Sequence, residues 1–309
     1  MKKLFFLNGW GGSDESVLNS LSILTPNNDG VWKGLIGTIN PKAADYFIAL
    51  EANKTNTPID KTLFIEREPN YIRYNQKVHY FPNKYSVKYW LNEGYYCLLN
   101  NIKKNNRSPY KHIIDFKSTN TGSTHHLNKT YEYLLNLEYP NKAKKISCVA
   151  STKHNHRNNY IKRLFKTEPD IDLYGRGHDR NYYGDAYKGE LNYDGVCKFK
   201  GLVDYEFSIV LENCKQKNYW TEKLADAYLS WCMPIYWGCP NISEYFPENS
   251  FRLIDIESEN PLLDINEIIN QPLTKIEIEA LRKARRLILD EYNIWEIIHK
   301  KIKDIESGN

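Results

Sequence analysis

The chain has 309 residues, of which 41% are apolar and 26% charged, a balance that excludes wholesale disorder and provides for two α/β domains of roughly 150 residues each. Its 42 basic and 38 acidic side chains leave a formal charge of +4, too small for a dedicated nucleic-acid surface although suited to a polyanionic ligand or an acidic membrane surface. No stretch reaches about eighteen continuous apolar residues, which excludes a spanning helix, and the six cysteines show neither a CxxC pair nor zinc-finger spacing.

The opening Lys2-Lys3-Leu4-Phe5-Phe6-Leu7 is too short for a signal-peptide core and is expected to be a first buried strand. A cytoplasmic location is expected on that basis, with peripheral membrane association left open. Ser13 to Leu24 has the pattern of a helix opened by a Ser or Asp cap, and Ala44–Ala52 and Lys61–Arg67 read as strands. The polar stretch from Asn100 to Asn128, which carries Pro109 and Gly122, is expected to be irregular and exposed.

A second unit is expected to begin between Glu138 and Lys145. Lys144–Ser151 has the composition of a buried strand and Asn158 to Phe165 that of the helix after it; Ile171–Gly177, Phe207–Asn213 and Cys232–Gly238 supply further strands. This strand-then-helix rhythm is that of a nucleotide-binding domain. From Lys275 to Ile302 the apolar positions Ile278, Leu281, Ile288, Ile294 and Ile298 stand among charges of mixed sign, the pattern of amphipathic helices that pack on the body of the protein. The expected division is therefore 1–140, 141–275 and 276–309.

The stretch Phe207 to Pro247 reads as strand, polar loop, capped helix, strand and Gly/Pro turn. Thr221 is placed to cap a helix whose Leu224, Ala227, Tyr228 and Trp231 form one buried face, with Glu222 and Lys223 in its first turn. A helix N-terminus at the carboxyl ends of parallel strands favours a diphosphate. Lys223 adds a full charge, and the Glu222 carboxylate can accept hydrogen bonds from both hydroxyls of a ribose. As a bare tripeptide, Thr221-Glu222-Lys223 is more often a solvated first turn.

The wider pattern decides between these readings. Leu211-Glu212-Asn213, Tyr219-Trp220-Thr221-Glu222-Lys223 and Pro234-Ile235-Tyr236-Trp237-Gly238, followed by Ser250-Phe251, closely resemble the donor-binding signature of the α-1,3/4-fucosyltransferases, glycosyltransferase family 10. The resemblance implies that Asn213, Tyr219, Glu222 and Lys223 hold the GDP moiety of a GDP-sugar, with Lys223 on phosphate and Glu222 on ribose. Upstream, Ile146–Phe165 resembles the family's strand, loop and helix, which selects Arg157 for the diphosphate; a guanidinium offers it a planar fork of donors. Tyr174-Gly175-Arg176-Gly177 resembles the family's Tyr-Gly strand end, where Gly175 would let backbone approach the nucleotide. His154 and His156 flank Arg157 and are read as loop polarity or as further phosphate contacts.

In the first half the resemblance is fainter. Asn8–Gly12 is similar to the Trp-Gly loop of bacterial members, and Lys61–Pro69 to the strand that ends in the family's Gly-Glu motif. That correspondence selects Glu68 as the catalytic base, with Arg67 in place of the usual glycine and Glu66 and Glu51 as competing carboxylates. The implied fold is GT-B, two facing Rossmann-like domains with a cleft between them, the acceptor bound by the N-terminal domain and the donor by the C-terminal one. The implied reaction is inverting transfer of L-fucose from GDP-fucose to a hydroxyl of a glycan acceptor. No Asp-x-Asp diphosphate motif stands at a strand end, so no obligatory metal or other cofactor is expected. Trp10, Trp32 and Trp90 are candidates for stacking on sugar faces, against the commoner role of core packing. Two alternatives keep the fold: a transferase for a different nucleotide sugar, and a non-catalytic homologue that binds nucleotide or glycan. A basic RNA-binding protein would need clustered Lys and Arg with interleaved aromatics, which the sequence lacks.

Overall fold

The computed structural model describes residues 1–7, 13–50, 57–65, 112–114, 126–167, 169–191 and 198–308. By its contacts the chain divides into two units, one of residues 1–20 and 33–121 and the other of residues 21–32 and 122–309. The first part of the chain supplies strands β1 (Lys2–Leu7), β2 (Val31–Trp32), β3 (Leu35–Gly37), β4 (Tyr46–Leu50), β5 (Thr62–Ile65) and β6 (His112–Ile114).

All of these but β2 belong to the first unit, where they stand in the order β3-β1-β4-β5-β6. Every neighbouring pair is parallel, with Leu4 opposite both Gly37 and Tyr46, and Leu63 opposite both Ile48 and His112. Leu4–Leu7, Ile48–Leu50 and Thr62–Ile65 are buried throughout, the continuous runs that a parallel sheet covered on both faces requires. Helix α1 (Asp14–Ser22) opens at Ser13, whose hydroxyl accepts from Ser16 N at 3.1 Å, and closes two residues before the expected Leu24. Strand β6 corrects the expectation that 100–128 is irregular throughout. It is three residues long and buried at Ile114, too short to register as a period in the sequence.

The second unit holds β7 (Lys144–Val149), β8 (Asp172–Tyr174), β9 (Tyr187–Gly189), β10 (Tyr205–Leu211), β11 (Met233–Trp237) and β12 (Arg252–Leu253), in the order β12-β11-β10-β7-β8-β9 and parallel at every pairing. Counted along this unit, the order is 3-2-1-4-5-6, the dinucleotide-binding arrangement. Its winding reverses between β7 and β10, and the crevice at the carboxyl ends of those two strands is where such sheets take their ligands.

Its helices are α2 (Tyr131–Asn136), α3 (Asn155–Leu164), α4 (Arg180–Tyr183), α5 (Glu222–Leu229), α6 (Pro261–Ile269), α7 (Lys275–Arg286) and α8 (Ile294–Ser307). Thr274 and Glu277 form a reciprocal capping box that starts α7, and a π turn at Leu287–Glu291 separates α7 from α8. The apolar stripe of α8, Ile294, Trp295, Ile298 and Ile302, is buried. Among the described residues no helix is long and apolar enough to cross a membrane.

Residues 21–32 form a strap woven into this unit. Leu21 O accepts from Trp295 Nε1 at 2.9 Å, Leu24 O from Asn293 Nδ2 at 2.8 Å, and Trp32 Nε1 donates to Glu296 Oε2 at 2.8 Å. Trp32 is 5% exposed and stands edge-on to Tyr131, so core packing is its role, not sugar stacking. Trp10 and Trp90 lie outside the described residues.

Trp231 corrects a second expectation. Helix α5 ends at Leu229, and Trp231 sits in the following turn at φ +59° instead of on the helix face. It is buried all the same, donating Nε1 to Leu137 O at 2.8 Å and lying under the Arg285 guanidinium, 4.2 Å from its ring centre. Arg285 also donates to Leu229 O, and Lys142 Nζ to Ser230 O at 3.0 Å. Two cations thus satisfy carbonyls left over at the C-terminus of α5, where the helix dipole favours positive charge.

Candidate functional site

The loops after β7 and β10 meet at the switch point, and most of the sequence-selected residues stand on them. Helix α3 begins at Asn155, three residues earlier than its pattern suggested, so Arg157 lies in the first turn and not ahead of it. Arg157 is 3% exposed. One terminal nitrogen, Nη1, donates to Leu211 O at 3.3 Å and to Asn213 Oδ1 at 3.0 Å; the other, Nη2, donates to Ser151 O at 3.1 Å and Ser151 Oγ at 3.3 Å. These bonds join the end of β10 to the loop after β7. Among the described residues the Nε N–H has no partner, and the guanidinium carries its charge with no carboxylate in direct contact. The fork expected to grip a diphosphate is thus committed at both terminal nitrogens, and Nε–H is the donor that remains.

Asn213 continues the chain of contacts, its Nδ2 lying 3.4 Å from the hydroxyl of the buried Tyr219. Beyond it Thr221 caps α5, with its hydroxyl 3.4 Å from Lys223 N and in contact with Lys223 Nζ at 3.0 Å. Lys223 Nζ is also 3.1 Å from Glu222 Oε1 and 3.5 Å from Glu212 Oε2. Burial works against ionisation of Glu222, but Lys223, with His126 and Lys198 farther off, overcomes it and holds this carboxyl well below the ordinary carboxylate range. Arg157, Asn213, Tyr219, Glu222 and Lys223 are therefore brought together.

Gly175 serves a different contact from the one expected of it. At φ +134°, a Cβ there would collide with the carbonyl of Ala150, so the missing side chain admits the loop after β7. Glu68 and its competitors Glu66 and Glu51 lie outside the described residues.

Glu212 had been given no role by the sequence. It is fully buried, and its two carboxylate oxygens accept from Thr221 N at 2.8 Å and from Thr221 Oγ1 at 2.7 Å. Burial raises its pKa and Glu222 adds to the rise, while Lys223 and the two Thr221 bonds oppose it. A carboxylate closing the apolar run Phe207–Leu211 was the available signal, since such a group stays buried only when paired. Gly238 is small for the same reason: a Cβ there would stand 2.5 Å from Glu212 Cγ.

The site sets two cations, Arg157 and Lys223, beside two carboxyls, Glu212 and Glu222. Burial, then the nearby Arg157, His156, Lys223 and Lys153, push the His154 imidazole down to about 3, so that it is neutral at physiological pH. The positive end of the α5 dipole and the charges of Arg157 and Lys223 give an anion partners here. Among the described residues no group of three or more His, Cys, Asp or Glu side chains is placed to hold a metal ion.

Residues 139–267 match the model of glycosyltransferase family 10 (fucosyltransferase), C-terminal part. Over 68 residues the chain is 38% identical to an α-(1,3)-fucosyltransferase of Helicobacter pylori, a stretch covering 22% of this chain and 14% of that one. Over 114 residues it is 32% identical to α-(1,3)-fucosyltransferase B of Drosophila melanogaster, covering 34% of this chain and 24% of the relative. The matches therefore span less than a quarter of either relative's length. Among solved structures, a DNA-modifying β-glucosyltransferase superposes with a TM-score of 0.52 at 11% identity, covering 97% of this chain and 98% of that one. With two doubly wound sheets, that likeness gives the fold as GT-B.

Proposed function

We propose that this chain, whose residues 139–267 match the model of glycosyltransferase family 10, is an inverting fucosyltransferase, moving L-fucose from GDP-fucose to a hydroxyl of a glycan acceptor in the manner of the α-1,3-fucosyltransferases. The observation that carries this reading is the convergence of Arg157, Lys223 and the capped start of α5 at the switch point of the second sheet. A pyrophosphate would meet the charges of Arg157 and Lys223 and the positive end of the α5 dipole there, and Glu222, held ionised, is the acceptor for ribose hydroxyls.

In a single displacement the acceptor oxygen attacks the anomeric carbon while the bond to the β-phosphate breaks. Charge then grows on the departing diphosphate. Lys223 and the Arg157 charge lower the energy of that state, and losing one such preorganised contact costs on the order of 3–4 kcal/mol. A base must also take the hydroxyl proton, a role worth about 10² to 10⁴ in rate. Glu68 is assigned this role by its resemblance to the family's glutamate.

Because these groups address ribose and diphosphate, they leave the donor sugar to be settled by turnover. GDP-fucose, GDP-mannose and UDP-sugars offered with a glycan panel, scored by released GDP or UDP, separate the readings. The proposal expects release with GDP-fucose above the others and a linked fucose in the product. Turnover with a different donor only would replace it with the alternative transferase. Glu68→Ala is expected to bind GDP as the wild type does and to lose turnover by at least about a hundredfold; GDP binding with no turnover by the wild type itself would favour a non-catalytic homologue.

A further inference from the structure

His178 follows the glycine-flanked turn at the end of β8 and is nine-tenths buried, although no step of the chemistry above uses it. Its Nε2 lies 2.9 Å from Ala150 O. A carbonyl only accepts, so Nε2 carries the proton, and Nδ1 presents a lone pair that is buried with no partner among the described residues. The ring is wedged between Tyr183, 5.2 Å away and edge-on, and Tyr187, 5.7 Å away.

The carbonyl that His178 holds belongs to the loop that carries Arg157's support. Ala150 N donates to Tyr174 O at 2.9 Å, Thr152 N to Arg176 O at 3.1 Å, and Tyr187 Oη to Gly175 O at 2.9 Å. Gly175 and Gly177 leave no room for a Cβ against Ala150 O and Thr152 Oγ1. Between those two fixed residues stands Ser151, whose carbonyl and hydroxyl both accept from Arg157 Nη2. One linkage therefore runs from the His178 ring through Ala150 and Ser151 to the guanidinium.

We propose that His178 is a positioning residue for the diphosphate subsite: as the neutral Nε2–H tautomer it fixes the Ala150–Thr152 loop and, through Ser151, the orientation of Arg157. The inference rests on the assignment of Arg157 to a nucleoside diphosphate. Protonation would add an Nδ1–H with no acceptor and a second charge near Arg157. The groups facing the imidazole are the Tyr183 and Tyr187 rings and, across the loop, Arg157, with no carboxylate among the described residues. Burial, with Arg157, lowers the pKa of His178 against the opposing Ala150 bond, so the ring stays neutral at pH 7 and charges only in acid.

The test is GDP affinity by calorimetry between pH 4.5 and 8, on the full chain and on His178→Phe and His178→Gln, with thermal melts to confirm folding. His178→Phe keeps the ring and loses the donor; it is expected to bind GDP about tenfold more weakly at pH 7, with KM for the donor rising more than kcat falls. His178→Gln restores an N–H for Ala150 O without a titrating group, and is expected to bind within about twofold of wild type at pH 7. The ionisation of GDP's own phosphate is common to all three proteins. The ratio of wild-type to Gln affinity should therefore hold at neutral pH and fall only toward acid, where the ring charges, and a ratio that rises toward acid overturns the proposal. So does a folded Phe variant with wild-type affinity, or a Gln variant as weak as Phe. Wild-type protein that binds no GDP at any pH defeats the diphosphate assignment instead, which keeps the two failures apart.

Discussion

Arg157 and Glu212 are both buried ionisable groups, and each is tolerated because its bonds are made to fixed partners. A lysine cannot reproduce the fork that reaches Leu211 O, Asn213 Oδ1 and both oxygens of Ser151. Arg157→Lys is therefore expected to lose about 1–3 kcal/mol of stability from stranded acceptors, and to weaken GDP binding roughly tenfold or more. Denaturant unfolding and calorimetry read the two effects separately, and a variant with unchanged affinity would remove Arg157 from the site. The pairing of Arg157 with this region was legible because its residue types follow a family pattern. Its burial was not, since sequence spacing does not report that Leu211 O and Ser151 O converge on one guanidinium. Glu212 went unassigned for the same reason: its partner Thr221 is nine residues away, across a loop whose course only the fold reveals.

At the level of elements, Thr221 does two tasks, capping α5 and receiving the Glu212 carboxylate. Thr221→Ala is expected to cost about 1–2 kcal/mol and to weaken GDP binding as the Lys223 ammonium loses its hydroxyl partner, whereas Thr221→Ser should retain most of both. Strand β8 offers a pH test at its first residue. Burial opposes ionisation of Asp172, yet bonds from Tyr205 at 2.6 Å, Lys144 at 2.9 Å and Lys188 outweigh it and hold the carboxyl below its usual value. A depressed carboxylate pKa gives stability that is present above the unfolded-state value, about 3.9, and is lost as the pH falls through the folded one. The melting-temperature gap between wild type and Asp172→Asn should be widest near pH 7 and should narrow as the pH falls below about 3.9; a gap that does not narrow in acid would reject this cause. The strands that carry the site, β7, β8, β10 and β11, were readable as apolar runs five to seven residues long or with a Gly turn at the end. Strands of two or three residues, β3, β6, β9 and β12, offer no period to read, and α3 began early because His154 takes an extended conformation that its sequence neighbours do not announce.

Over the whole molecule, the second unit is built from two separated pieces of chain, residues 21–32 and 122–309. The strap supplies the polar partners of α8, and Glu296, 4% exposed, accepts from Trp32 Nε1. Trp32→Phe keeps most of the packing and removes that donor, so a loss of about 1–3 kcal/mol is expected in urea unfolding, with GDP affinity unchanged in the folded fraction; a neutral result would mean that Glu296 is satisfied without it. This strap was not legible either, because nothing in residues 21–32 signals a destination 264 positions downstream. The order of synthesis gives that separation a consequence. Ribosomes deliver chain at roughly 5–20 residues per second, so Leu21, Leu24 and Trp32 emerge well over ten seconds before Asn293, Trp295 and Glu296 exist to receive them. During that interval the nascent polypeptide carries an apolar segment whose α8 partners do not yet exist, and chaperone dependence of yield should track the translation speed of the intervening message.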